Sequence, residues 1–269
     1  MSDQIRSVSP RIIAVANQKG GVGKTTTAIN LAAALVANGM RVLIVDLDPQ
    51  GNASTGLGID GQDRDLTTYD LLLDDVALAD VVKPTSTEGL LIIPATVDLS
   101  SADIELYSTE KRSFLLHDAL RQPAIDAFQL DYILIDCPPS LSLLTVNAMV
   151  AAHSVLVPLQ SEFFALEGLS QLMMTIREVR QTANPGLRIE GVVLTMYDMR
   201  NKLSLQVEQD ARDNLGELVF KTVIPRNVRV SEAPSFAVPV LDYDANSRGA
   251  QAYLELAREL LHNNAVMAA

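Results

Sequence analysis

Cysteine is scarce in this 269-residue chain: there is one, Cys137. A lone cysteine forms no internal disulfide and builds no metal cluster within one chain, and its use fits a reducing cytoplasm. Its place at the end of an apolar strand reads as a buried, inert thiol. Positive charge is also short. Lys and Arg number 21 against 33 Asp and Glu, a formal net charge of −12. As a whole-chain balance this argues against nucleic-acid binding, but it leaves a local basic patch open. Met1 to Pro10 holds no apolar signal-peptide core. Long apolar runs are missing too. The most apolar late stretch, Leu143 to Leu159, is broken by Thr145, Asn147, His153, Ser154 and Pro158, and reads as helix, turn and strand rather than a membrane span. With no linker, repeat or low-complexity segment, the chain is expected to be one domain over 1–269, with loose tails at 1–10 and 263–269. What is plentiful is apolar side chain, 48 % of residues, which supplies a sizeable core and excludes global disorder.

Everything else is organised around Gln18-Lys19-Gly20-Gly21-Val22-Gly23-Lys24-Thr25-Thr26. An apolar run, Ile12 to Ala16, precedes it and predicts a buried strand. Ala28, Leu31, Ala32 and Leu35 follow it on one face of a helix. Strand, glycine loop and helix form the context of a phosphate-binding loop. Glycines let the backbone turn its N–H groups toward an anion, and the helix start adds unpaired N–H groups and the positive dipole end. Lys24 supplies a point charge for the β- and γ-phosphates, and Thr25 a hydroxyl for Mg²⁺. The loop departs from G-x-x-x-x-G-K-[ST] by placing Gln18 at the first position and a second lysine, Lys19, beside it. Lys19 needs negative charge nearby, from the same nucleotide or from one held by a second subunit.

Carboxylates follow at strand ends. Arg41 to Asp46 predicts a second buried strand that runs into Asp46-Leu47-Asp48-Pro49-Gln50-Gly51-Asn52. Ligands bind at such C-terminal strand ends in open α/β sheets, although Asp-Pro turns share this composition. Tyr132 to Asp136 is a third such strand, closed by Cys137-Pro138-Pro139. Four apolar residues before Asp136 make a Walker B strand, whose carboxylate would hold a water of Mg²⁺. Further strands are expected at 90–94, 155–159, 189–196 and 219–224. Helices are expected at 66–83, with a turn, and at 98–122, 203–215 and 246–262, with another following Gly168 to about Gln181. The alternation predicts an α/β fold, a doubly wound, mostly parallel sheet with helices on both faces. Phe163 and Phe164 read as core.

The loop resembles the deviant Walker A motif, K-G-G-x-G-K-[ST], of the MinD/ParA family of P-loop ATPases. Asp46 to Asn52 and Ile135-Asp136-Cys137-Pro138-Pro139 match the family's next motifs. Within the family, Asp46 to Asn52, Asp136 to Ser140, Glu162 to Gly168, Thr195 to Tyr197, and Ile224 to Arg229 with Ser231 to Ser235 resemble the ParA/Soj partitioning branch. The resemblance spans about 11–262. It implies ATP and Mg²⁺ as cofactors and ATP hydrolysis as the activity, with Gln18 to Thr26 on the phosphates. Lys19 would cross an ATP-sandwiched homodimer to the partner's nucleotide. Asp48 would orient attacking water near Mg²⁺, with Asp46 in the metal's outer shell, and Pro225, Arg226 and Asn227 would lie against adenine. Branch members bind double-stranded DNA without sequence preference as the ATP dimer, and a ParB-type partner stimulates hydrolysis. The cargo is a chromosome origin or plasmid, or in a related subgroup another large assembly. A cytoplasmic, nucleoid-associated protein follows. The turn with Arg200 and Lys202 and the segment 226–229, including Arg229, match regions that contact DNA in the family. Lys221 and Arg248 lie near the ends of neighbouring elements. A MinD-like membrane role needs a basic amphipathic C-terminal helix, which Arg248 and Arg258 alone do not make. A reductase relative needs two cysteines per chain, and a metabolic P-loop enzyme would need a second substrate.

Overall fold

The structure, a computed structural model, describes residues 9–74, 76–105, 111–162 and 165–268. Short apolar runs become strands, and longer runs of period near 3.6 become helices, in the order β1 (Arg11–Val15), α1 (Lys24–Ala37), β2 (Val42–Asp46), α2 (Asn52–Gly56), α3 (Thr68–Leu73), α4 (Leu78–Val81), β3 (Lys83–Pro84), β4 (Leu90–Ile93), α5 (Ala102–Glu105), α6 (Leu115–Ala119), β5 (Tyr132–Asp136), α7 (Leu143–Ala151), β6 (Ser154–Gln160), α8 (Ala165–Thr182), β7 (Arg188–Thr195), α9 (Lys202–Leu215), α10 (Val228–Glu232), α11 (Val240–Tyr243) and α12 (Arg248–Ala268). The strands form one sheet in the order β3-β4-β2-β5-β1-β6-β7, parallel throughout except for the antiparallel edge pair β3–β4.

Both faces of the sheet are covered, so the strands are apolar without alternation. On β1, Ile12 joins a core with Leu144 of α7 and Leu172 of α8, while its neighbour Ile13 points the other way, into a core with Leu31 of α1 and Tyr253 and Leu260 of α12. Register carries chemistry to one edge. Val15 of β1 pairs with Asp136 of β5, and Asp46 of β2 pairs with the same Asp136. The loop after β1 and the carboxylates at the ends of β2 and β5 therefore share the C-terminal rim of the sheet. Cys137 is buried and free.

Four local expectations need correction. The strand expected at 219–224 is not a regular strand: the segment meets β7 at one isolated bridge, Val192 to Val219, and through Phe220 N to Val192 O at 2.9 Å and Ile224 N to Leu194 O at 2.8 Å. The Lys221 and Thr222 amides donate instead to the Glu259 carboxylate, at 2.7 and 2.9 Å, which takes two donors out of any ladder. The helix expected at 66–83 is two short helices followed by β3. Of the one expected at 98–122, the described residues form a 3₁₀ turn at Val97–Ser101, then α5 and α6, while 106–110 lie outside the described residues. The last helix, expected to end at 262, continues to Ala268, through residues expected to form a loose tail. No proline or glycine follows Gly249 to stop the helix, and Asn264 Nδ2 donates to Tyr132 Oη at 3.4 Å. Residues 1–8 of the expected N-terminal tail, and Phe163 and Phe164, lie outside the described residues.

Candidate nucleotide site

After β1 the chain turns through the glycine loop into α1. Gly21 and Gly23 take φ values of 75° and 85°, left-handed geometry that favours glycine, and Gly23 stands at the N-cap of α1. The loop is braced from two strands. Asn17 Nδ2 donates to Pro158 O of β6 at 2.8 Å while its Oδ1 accepts the Lys19 amide at 3.1 Å. Thr195 Oγ1, at the end of β7, donates to Val22 O at 2.8 Å. Lys24 is buried, and its Nζ donates to Lys19 O at 3.1 Å, so the ammonium is held inside the loop. Burial pulls its pKa down, opposed by the charges of Asp136, Cys137 and Asp48. Lys19 points elsewhere: its Nζ is 2.8 Å from Glu162 Oε2, a pair still substantially open to solvent. Glu162 is itself steadied by Gln160 Nε2 at 2.6 Å.

The three carboxylates are unlike one another. Asp46 is committed within the protein, with Oδ2 accepting the Ser54 amide at 2.9 Å and hydroxyl at 2.6 Å and Oδ1 accepting the Asp48 amide at 3.2 Å. Burial outweighs those bonds and raises its pKa to about 6. Asp48 Oδ1 accepts the Gln50 amide at 3.0 Å, the side chain closing the turn that leads to α2. Asp136 is fully buried, and neither of its carboxylate oxygens has a hydrogen-bond partner. Burial raises its pKa strongly, Asp46 and Asp48 raise it further, and the neighbouring Thr25 hydroxyl and Lys24 ammonium oppose the rise. A buried carboxylate without a donor is costly unless a cation meets it. Among the described residues no three His, Cys, Asp or Glu side chains form a metal cluster. Mg²⁺ takes one or two carboxylates and fills its octahedron with phosphate oxygens and water. Asp136 with the Thr25 hydroxyl fits that donor set.

Beside the loop, a cavity of about 550 Å³ is lined by Gln160, Glu162, Met196, Asp198, Asn201 and Arg226, among others. Met196 holds φ 50°. Its methyl end lies 3.9 Å from where a Cβ on Gly23 would be, so the turn after β7 touches the phosphate loop. Tyr197 bonds Glu208 of α9 through its hydroxyl, whose pKa is pushed to about 12 by desolvation and that carboxylate. Its backbone meets the next segment: Tyr197 N donates to Ile224 O and Arg226 N to Tyr197 O, each at 3.0 Å. Of the expected adenine contacts, Arg226 lines the cavity and Pro225 bridges to Tyr197. Asn227 spends its Oδ1 capping α10, on the amides of Arg229 and Val230.

The basic residues expected at a DNA face lie on several elements. The bridge between Tyr197 and Pro225 joins the turn that carries Arg200 and Lys202 to the chain leading into α10, which carries Arg229. A Cβ on Gly249 would collide with Val230 and lie 3.3 Å from Asn227, so the start of α12, where Arg248 stands, packs on α10. Arg200 is 90 % exposed and forms a two-pronged pair with Asp198, Nε and Nη2 each at 3.0 Å. Arg229 pairs with Glu232 at 2.9 Å and Asp244 at 3.4 Å. Lys221 lies on the 219–224 segment, close to α12 through the bond from its amide to Glu259. Sequence spacing did not reveal Asn17, Ser54 or Arg64, which stand in no recognisable motif, and it gave no role to Glu162, although that residue opens a segment resembling the ParA/Soj branch.

A family model described as an AAA domain matches residues 10–189. The chain is 59 % identical over 251 residues to the chromosome partitioning protein ParA of Caulobacter vibrioides, covering 93 % of this chain and 94 % of that one. It is 53 % identical to the sporulation initiation inhibitor protein Soj of Bacillus subtilis, over 94 % and 99 % of the two chains. Among solved structures, a Mycobacterium smegmatis protein described as cobyrinic acid a,c-diamide synthase, with bound ADP and magnesium, is 41 % identical with a TM-score of 0.80 over 94 % of each chain. The Pyrococcus furiosus cell division ATPase MinD is 29 % identical with a TM-score of 0.76, covering 94 % of this chain and 98 % of that one.

Proposed function

The chain belongs to the ParA/Soj family of partitioning ATPases, and from that premise we propose that it hydrolyses ATP in an ATP-sandwiched homodimer that binds double-stranded DNA without sequence preference, with a DNA-bound ParB-type partner accelerating hydrolysis. The observation that carries the reading is Asp136: a buried carboxylate with no donor, on the rim shared by the phosphate loop, is suited to a magnesium nucleotide. Magnesium, when bound, would supply positive charge that offsets the charge of the phosphates. The loop from Gln18 to Thr26 cradles those phosphates with its amides, Lys24 adds fixed positive charge, and Thr25 and Asp136 hold the metal side. Asp48, at the mouth of β2, orients the water that attacks. Asp46 acts one shell out, by fixing Ser54 and the Asp48 backbone. The cavity lined by Met196 and Arg226 takes the base. Lys19 has only an exposed pairing to give up, an interaction worth little, and can exchange Glu162 for a partner's phosphate.

Hydrolysis measured with MgATP alone, with unrelated duplex DNA, and with DNA plus a candidate ParB tests the whole reading. The expected result is a low basal rate raised by DNA and partner together. A rate indifferent to both overturns it, and consumption of ATP only when a second small substrate is supplied would favour the synthase chemistry named for the Mycobacterium smegmatis structure. Specific activity should rise with protein concentration until dimerisation saturates, and a flat profile would argue for a self-sufficient protomer. No helix among the described residues is long and apolar enough to cross a membrane.

A further inference from the structure

The segment carrying Asp48 is built to be held from outside. After Asp48 the chain closes a turn, with Gly51 N donating to Asp48 O at 2.9 Å, and enters α2 through Gly51 at φ 61°. One face of α2 is tied down by Ser54, whose Oγ donates to Asp46 and accepts the Ala95 amide at 3.0 Å. The other side is held by the side chain of Arg64. Its Nη1 donates to Ala95 O at 3.0 Å and its Nη2 to Thr55 Oγ1 at 2.8 Å. Its Nε and Nη2 both reach Ile59 O, at 3.0 and 2.6 Å. A Cβ added at Gly51 would collide with Arg64 Nη1 and lie 2.8 Å from Ala95 O, so the guanidinium packs directly on the Gly51 backbone.

We propose that Arg64 is a positioning residue for hydrolysis, clamping the Gly51–Ile59 segment to the end of β4 so that Asp48 is presented in one geometry. This rests on the reading of Asp48 given above. All four bonds go to neutral oxygens, so the side chain's task is geometric: a planar fork spans acceptors on α2, on the loop after it and on the residue beyond β4. A lysine cannot replace it, because one ammonium offers no fixed fork. The clamp acts on the turn that bears the water-orienting group and leaves the phosphate loop alone, so its loss should appear in turnover rather than in nucleotide affinity.

The test uses the full chain carrying Arg64→Lys, Arg64→Ala or Asp48→Ala. ATP affinity is read by calorimetry, steady-state kcat and KM by phosphate release, and Tm by thermal melting. In both Arg64 variants kcat should fall by about ten- to a hundredfold, the range a small displacement of a catalytic group produces, with ATP affinity retained. Guanidinium ion far below denaturing concentration should restore part of the rate of Arg64→Ala and none of the rate of Asp48→Ala. If Arg64→Ala does not fold, Arg64→Lys decides. Unchanged kcat in the Arg64 variants overturns the proposal. So does a parallel loss of Tm, ATP affinity and rate without rescue, which would mark a merely structural arginine. If Asp48→Ala turns over normally, the reading of Asp48 itself fails. If Asp48→Ala is inactive while both Arg64 variants work, the Arg64 proposal alone fails.

Discussion

Lys24 is buried with its ammonium folded onto Lys19 O, and desolvation works against its charge. A lysine kept in that position is poised to exchange a weak backbone acceptor for phosphate oxygens. Lys24→Ala should therefore abolish ATP binding, and a normal calorimetric isotherm with MgATP would contradict this. Much of the site at this scale was legible because its residues are local in sequence. The phosphate loop, Asp48 and Asp136 lie in short motifs after apolar runs, and the turn geometry of Gly21 and Gly23 follows from the same letters. What supports them was not legible. Asn17 reaches Pro158, Ser54 reaches Ala95, and Arg64 holds three acceptors across the same rim. Pro158 and Ala95 lie far outside a window of a dozen residues, and the nearer Thr55 and Ile59 stand in no motif that announces them. Asp46 shows the limit of a motif: its position was readable, but only the fold reveals that its oxygens are taken by Ser54 and the Asp48 amide.

The elements divide the same way. Long apolar strands and α1, α9 and α12 announce themselves by period, whereas the region from 66 to 122 breaks into short pieces whose ends are set by tertiary packing. The 219–224 segment looks like a strand in composition, yet Glu259 of α12 takes two of its amides. Its packing on β7 is tight at one point. A Cβ on Gly191 would collide with the buried Phe220 ring and lie 3.1 Å from Leu218 O. Gly191→Ala should cost about 1–3 kcal/mol by overpacking, read as a lower urea midpoint; an unchanged midpoint would mean that the segment is free to move away. At the opposite rim, His153 joins three strands. Its Nδ1 accepts the Ile12 amide at 2.9 Å, its own amide donates to Ile12 O at 2.9 Å, and its carbonyl accepts the Arg188 amide at 3.2 Å. Desolvation, then Arg121, Arg11 and Arg188, hold the imidazole below its ordinary value of 6.5. The unfolded chain thus takes up a proton more readily than the folded one as pH falls through that value. Stability from this group is complete above pH 6.5 and is lost below it. His153→Gln should flatten the acid side of the melting-temperature profile between neutral and mildly acid pH. An acid limb as steep as that of the parent protein would show that His153 does not set it.

For the molecule as a whole, the unusual demand is that a body of net charge −12 should bind a polyanion. Long-range repulsion opposes approach, so affinity must come from a compact basic face at short range, and joining two protomers doubles that face. On the function proposed above, the turn after β7 would supply it, with Arg200, whose side chain is 90 % exposed, as a member. Asp198 faces Arg200 at 3.0 Å, but the guanidinium is 90 % open to solvent, and exposed ion pairs are worth little, so DNA phosphate can compete for it. Removing one cation from a phosphate should reduce the slope of log affinity against log salt by roughly 0.9. A dimer contributes one Arg200 from each protomer, so Arg200→Ala should make the slope shallower by roughly 1.8. Charge reversal, Arg200→Glu, should abolish binding on unrelated duplexes alike, because phosphates carry no base sequence. ATP affinity and ATP-dependent dimerisation should survive both changes, since among the described residues the side chain bonds within its own turn. Fluorescence anisotropy over a salt series, with and without ATP, reads all of this. Tight binding by Arg200→Glu, or parent-protein affinity equal in the presence and absence of ATP, would remove the basic face from the account and leave the dimer without its means of holding DNA.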